Sequence, residues 1–126
     1  MKPIGLTIAG SDSGGGAGIQ ADIKSMEANG VFAASVIVAV TAQNTKEVAA
    51  AYDLPLDIIA QQIDTVMADI SVDVLKTGML SCAAIIMTVA EKLREYDTLP
   101  LVVDPVMISK SGYPLLQPEA VESLKA

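Results

Sequence analysis

Four stretches of this sequence end in residues that can do chemistry. The first is Gly10-Ser11-Asp12-Ser13-Gly14-Gly15-Gly16-Ala17-Gly18 and the second is Thr41-Ala42-Gln43-Asn44-Thr45. The third is Lys76-Thr77-Gly78-Met79 and the fourth is Asp104-Pro105-Val106-Met107. The glycine-rich stretch invites a nucleotide reading, but its spacing matches neither common pattern. A P-loop requires Gly, four residues and then Gly-Lys-Ser/Thr, and no Gly here precedes a Lys. The dinucleotide fingerprint G-x-G-x-x-G also fails, because Gly14 and Gly16 would demand Gly where Ile19 stands. Two readings remain. One is a flexible loop feeding a helix N-terminus, whose free N–H groups can meet a polar or anionic ligand. The other is a loop kept small for tight strand–helix packing.

The single polar residues near these ends carry alternatives of their own. Lys76 closes an apolar run, where a charge is costly unless it is solvated or paired. It is either a cation facing phosphate oxygens or a lysine that snorkels to water. Asp104 follows Leu-Val-Val, as do acidic residues that help hold Mg²⁺ in nucleotide enzymes; the alternative is a cap on the next turn. Gln43 can donate and accept side by side, so it can read the edge of a heterocycle, or it can satisfy loop backbone. Asp22, on the first helix, either accepts from a substrate hydroxyl or faces solvent. Cys82 reads as core filling near a helix start, with no cation beside it to activate a thiolate. The methionines read as core, except Met79, which follows the Lys-Thr-Gly turn.

Composition removes several other classes. With no His, Ser-His-Asp and Cys-His catalysis and His-containing zinc sites are excluded. A single Cys excludes a disulfide framework and suits a reducing cytoplasm. A net charge of -7 with eight scattered Lys and Arg argues against a nucleic-acid surface. Residues 28–45 carry no charge, but their polar residues break the apolar run too often for a membrane span. No secretory h-region follows Met1, so a cytoplasmic protein is expected. At 126 residues and 52% hydrophobic, the chain can build one modest core and not two.

The elements that must position these residues are legible from periodicity. Residues 4–9, 35–40, 72–76 and 101–104 form short apolar runs without alternation, as expected for strands covered on both faces of a parallel sheet. Between them lie helical patterns over 17–29, 55–70 and 81–96, with stripes such as Ile59, Ile63, Val66 and Ile70. Residues 45–54 have room for a further short strand. A long loop over 105–116 and a helix opened by Pro118, running to the last residue without a closing cap, complete the reading. Strand–helix alternation of this kind predicts an α/β fold whose four strand ends converge on one site.

Together, TIAGSDSGGGAGIQADIKS, TAQNT, VDVLKTGML and VVDPVMISKSG resemble the N-terminal half of the hydroxymethylpyrimidine/phosphomethylpyrimidine kinase family. The resemblance implies a ribokinase-like α/β fold, mostly parallel with flanking helices and cut after about half of one kinase domain. It implies phosphoryl transfer from ATP, with Mg²⁺, to 4-amino-5-hydroxymethyl-2-methylpyrimidine and to its monophosphate. Pyridoxal kinases share overlapping motifs, so a pyridoxine-type substrate or a non-catalytic pyrimidine-binding fragment is the alternative. By resemblance the glycine-rich loop faces the pyrimidine, with Gly10 against the ring, Asp22 near the hydroxymethyl group and Gln43 on the ring nitrogen and amine. Met79 and Val106 supply apolar walls, Lys76 and Asp104 stand on the phosphate side, and Asp104 is the metal contact. The family's anion-hole loop and catalytic group have no counterpart here, so the 126 residues alone are expected to be inactive. They are also expected to form a homo-oligomer or to need a complementing C-terminal half.

Overall fold

The computed structural model describes residues 2–104, in which five strands form one sheet flanked by three helices. The elements are β1 (Ile4–Asp12), α1 (Gly18–Ala28), β2 (Phe32–Gln43), β3 (Val48–Asp53), α2 (Leu56–Asp69), β4 (Val74–Thr77), α3 (Ala83–Arg94) and β5 (Leu101–Val103). Their order across the sheet is β3-β2-β1-β4-β5. β1 pairs in parallel with β2 and β4, β4 pairs in parallel with β5, and β3 runs antiparallel to β2. The α/β class and the mostly parallel sheet agree with the sequence reading. The loop over 105–116 and the helix expected from Pro118 lie outside the described residues. No described helix is long and apolar enough to cross a membrane.

β1 sits in the middle of the sheet and is buried along almost its whole length. A central strand with both neighbours and both faces covered leaves no reason for polar alternation. Side chains nevertheless alternate across it. Leu6 and Ile8 enter the main core with Ile59 and Ile63 of α2 and Ile85 and Val89 of α3. Thr7 faces the other way, toward α1, where it meets Asp22. Full burial of each of these aliphatic side chains contributes roughly 1.5–3 kcal/mol. α2 and α3 are also tied at their surface by Lys92 and Asp64, 2.8 Å apart. The hydrogen bond that Lys92 donates to Asp64 holds its ammonium above the ordinary pKa of 10.5. That contribution is whole at neutral pH and is lost only as pH rises through the raised value.

Two features differ from the sequence reading, and the strand it allowed within residues 45–54 is present. β1 continues three residues past Ala9, because Gly10 to Asp12 pair with Ala39 to Thr41 after a bulge. Residues 45–54 do contain a strand, and it returns antiparallel along the edge of β2. β5 is half-exposed on Leu101, Val102 and Val103, rather than covered on both faces, and is the outermost of the described strands on its side of the sheet.

Beyond the end of β3, the edge of β2 is finished by a side chain. Gln62 of α2 accepts from the Ile37 N–H at 3.0 Å and donates to the Ile37 C=O at 2.9 Å, as a neighbouring strand would. Gln62→Met keeps the length of the side chain and removes both bonds. It is expected to cost about 1–3 kcal/mol in urea unfolding, the penalty for unpaired backbone groups. A cost near zero would show that solvent replaces the amide without loss.

Candidate functional site

The sheet order reverses at β1: the chain leaves it for β2 on one side and later returns to β4 on the other. A crevice opens beyond the carboxyl ends of strands at such a switch point. Here it has a volume of about 410 Å³. Gly10, Asp22, Gln43, Lys76, Met79 and Asp104 all line it. Every site residue named from the sequence is thus brought together, apart from Val106, which lies outside the described residues.

At the floor, Lys76 is paired. Its Nζ stands 2.8 Å from both carboxylate oxygens of Asp22, and Thr7 Oγ1 donates to Asp22 Oδ2 at 2.6 Å. The register explains the meeting. Thr7 and Lys76 are direct partners across β1 and β4, so both project to the α1 face, where Asp22 lies one turn into the helix. The Lys76 and Asp22 side chains keep only 21% and 17% of their exposure. Lys76 is therefore neither snorkelling to bulk water nor an isolated cation, and Asp22 is not a solvent-facing carboxylate. The two are 54 residues apart in sequence, and no local pattern announces the pair.

The glycine-rich loop corrects an expectation. It is neither slack nor open to an anion at Gly14 and Gly16, because Asp12 fills it from within. Asp12 Oδ1 accepts from the Gly14 N–H at 2.8 Å and Oδ2 accepts from the Gly16 N–H at 3.0 Å. Ser13 then fastens the loop to β2: its hydroxyl accepts from the Gln43 N–H and donates to the Gln43 C=O, both at 2.7 Å. Sequence reasoning passed over Asp12, Ser13 and Thr7. An Asp two residues before a Gly is a turn signal, so Asp12 was within reach; the other two act across strands and were not.

Gln43 is placed by the bulge in the sheet. Val38 is the extra residue between the pairs Ala9↔Ile37 and Gly10↔Ala39. Alternation restarts there, turning Thr41 and Gln43 to the crevice and leaving Val40 46% exposed. The Thr41 hydroxyl lies 2.7 Å from the Ser11 C=O and 3.0 Å from Gln43 Oε1, and it anchors the carboxamide. Met79 forms the apolar side of the crevice and is only 8% exposed. Its methyl occupies the space that a Cβ on Gly10 would need, so the two residues pack face to face. Asp104 is held by its backbone N–H, which donates to the Thr77 C=O at 2.9 Å, while its side chain is exposed beside the crevice. Cys82 is the residue just before α3 and packs against the core, as the sequence suggested.

Among the described residues no three potential ligands cluster to form a metal site by themselves. Asp104 offers one hard oxygen donor. That fits Mg²⁺, which takes one or two carboxylates and completes its shell with water and phosphate oxygens.

Residues 12–126 match the family model for phosphomethylpyrimidine kinase. The chain is 51% identical over 124 residues to the hydroxymethylpyrimidine/phosphomethylpyrimidine kinase of Rhizobium meliloti, covering 98% of this chain and 46% of that protein. A crystal structure of phosphomethylpyrimidine kinase from Clostridium difficile superposes with a TM-score of 0.89 at 57% identity, covering 98% of this chain and 53% of that one. The pyridoxal kinase of Bacillus subtilis, solved as an ADP complex, gives 0.83 at 36% identity, covering 99% and 48%. The neighbours are ribokinase-like vitamin kinases, and this chain shares their fold. It spans about half the length of the relatives it matches.

Proposed function

The chain belongs to the phosphomethylpyrimidine kinase family, and on that premise we propose that the protein phosphorylates a hydroxymethylpyrimidine at the expense of ATP. The substrate is 4-amino-5-hydroxymethyl-2-methylpyrimidine and then its monophosphate, and the setting is thiamine biosynthesis in the cytoplasm. Residues 1–126 would form the N-terminal half of one ribokinase-like domain. The observation that carries this reading is the crevice at the switch point, which joins an amide, an apolar wall and a carboxylate–ammonium pair.

In this reading Gln43 meets the ring nitrogen and exocyclic amine, while Gly10 and Met79 bound the ring face, as Val106 would from the following loop. Asp22 faces the hydroxymethyl group, and its bonds to Thr7 and Lys76 hold the carboxylate in one orientation. Lys76 faces the phosphate being transferred. Asp104 would hold Mg²⁺, which when bound neutralises charge on the ATP phosphates. No residue of this chain is assigned the catalytic proton transfer. A second copy of the chain is the partner we place along β3, an uncharged edge up to Tyr52 that leaves that residue 67% exposed; sedimentation velocity showing only monomer would remove it.

The test is a coupled assay on the whole protein with ATP, Mg²⁺ and a panel of alcohols. Turnover of the hydroxymethylpyrimidine supports the reading. Turnover of pyridoxal or pyridoxine alone would transfer the site to the activity named for the Bacillus subtilis neighbour. Within the same assay, Gln43→Ala is expected to weaken pyrimidine binding by about 1–3 kcal/mol, the cost of unpaired polar groups. An unchanged pyrimidine dissociation constant, read by calorimetry, would remove Gln43 from the ring.

A further inference from the structure

The glycine-rich loop has the parts of a phosphate cradle. The N–H groups of Gly14 and Gly16 converge ahead of α1. Lys24, on that helix, brings its ammonium to the Gly15 C=O at 3.0 Å. Converging backbone amides, a helix N-terminus and a nearby cation together attract anions. Yet the place is taken by the chain itself. Asp12 is only 6% exposed, and its two carboxylate oxygens accept from those two amides at 2.8 and 3.0 Å. The residue is fixed from its backbone as well. Its N–H donates to Gln20 Oε1 at 2.8 Å, Gln20 Nε2 donates to Ser11 Oγ at 2.7 Å, and the Gly15 N–H donates to the Asp12 C=O at 3.0 Å.

We infer that Asp12 is a resident anion of the glycine-rich loop, and that it sets the specificity of this wall of the crevice. Its carboxylate satisfies the amides that a phosphate would otherwise claim, orders the loop before any ligand arrives, and repels a second anion. The wall is thereby reserved for an uncharged part of the ligand. Phosphate groups are left to the Lys76 ammonium, which lines the same crevice. Asp12 is a positioning residue in this scheme, acting through the loop.

The experiment titrates inorganic phosphate into the nitrogen-labelled chain, with chloride at matched ionic strength as control, and follows the Gly14 and Gly16 amide resonances. It reads phosphate binding alone, so its outcome is independent of the kinase reading. In the unaltered chain these resonances should stay still in millimolar phosphate. In Asp12→Ala they should move, with phosphate binding about tenfold tighter or better, as expected when amides at a helix start are freed. Asp12→Asn keeps one acceptor oxygen but turns an NH₂ toward the second amide, so it should bind phosphate between the two. Thermal melts establish that each variant is folded. Movement of the two resonances in the unaltered chain would overturn the inference. So would a folded Asp12→Ala as indifferent to phosphate as its parent, because Asp12 would then only brace the loop. If the alanine variant does not fold, the asparagine variant decides by the same criterion.

Discussion

Replacing Lys76 with Met is expected to lower the turnover of the whole enzyme by about 10²–10³, the loss seen when one charge-stabilising donor leaves a reacting centre. Met keeps most of the volume and the reach of the stem, so packing between β4 and α1 should survive. What is lost is the ammonium that lies 2.8 Å from both oxygens of Asp22. Two consequences add on the proposed reading. The transferring phosphate would lose its cation, and Asp22, at 17% exposure, would be a carboxylate held by Thr7 alone among the described residues, on the path of an anion. Both act on the step in which charge moves, and neither touches the ring of the pyrimidine. Turnover should therefore fall far more than pyrimidine affinity. A raised Michaelis constant for the pyrimidine with turnover intact would reverse the assignment, placing Lys76 on the ring side of the crevice.

Gly18→Ala is expected to destabilise the fold by roughly 2–5 kcal/mol, combining about 1–2 for a left-handed backbone with about 1–3 for forced overlap. Gly18 begins α1 at φ +59, and a Cβ there would run into the carbonyl oxygen of Gly10. The close approach is part of the site, because Gly18 also bridges to Ser11 at the end of β1. Gly30 supplies the control. It has φ +76, yet nothing lies within 4 Å of the Cβ position, so Gly30→Ala should show the backbone cost of about 1–2 kcal/mol alone. Urea unfolding of the two variants separates the terms. Equal losses would show that Gly10 moves aside and that the overlap carries no penalty.

Much of the fold was open to inspection in the sequence because it depends on short-range regularities. The stripe of Ile59, Ile63, Val66 and Ile70 repeats at helical spacing, and α2 follows it from Leu56 to Asp69. The unalternating run at residues 4–9 became the buried central strand. The strand-end residues could be named because ligands gather at the carboxyl ends of parallel strands, whatever the order of those strands. The resemblance of the four motifs to a kinase family rested on residues that need no coordinates to be read. The family match over residues 12–126 bears it out.

Other features depended on which distant segments became neighbours. Nothing near Lys76 in sequence points to Asp22; the parallel register Thr7↔Lys76 and the seating of α1 on that face create the pair. Nothing in SVIVAVTAQ marks Val38 as the bulged residue, yet that one insertion turns Gln43 toward the crevice. The glycine-rich loop could be read from its composition as an anion site, until the buried Asp12 carboxylate was found on its amides. The amino-acid sequence alone determined the elements, the family and the set of residues at the strand ends, since periodicity and motif are local properties of the chain. The tertiary structure alone decided which of those residues face one another and which charges are already satisfied. Pairing and burial are set by strand register and helix packing, and both are relations between segments far apart in the chain.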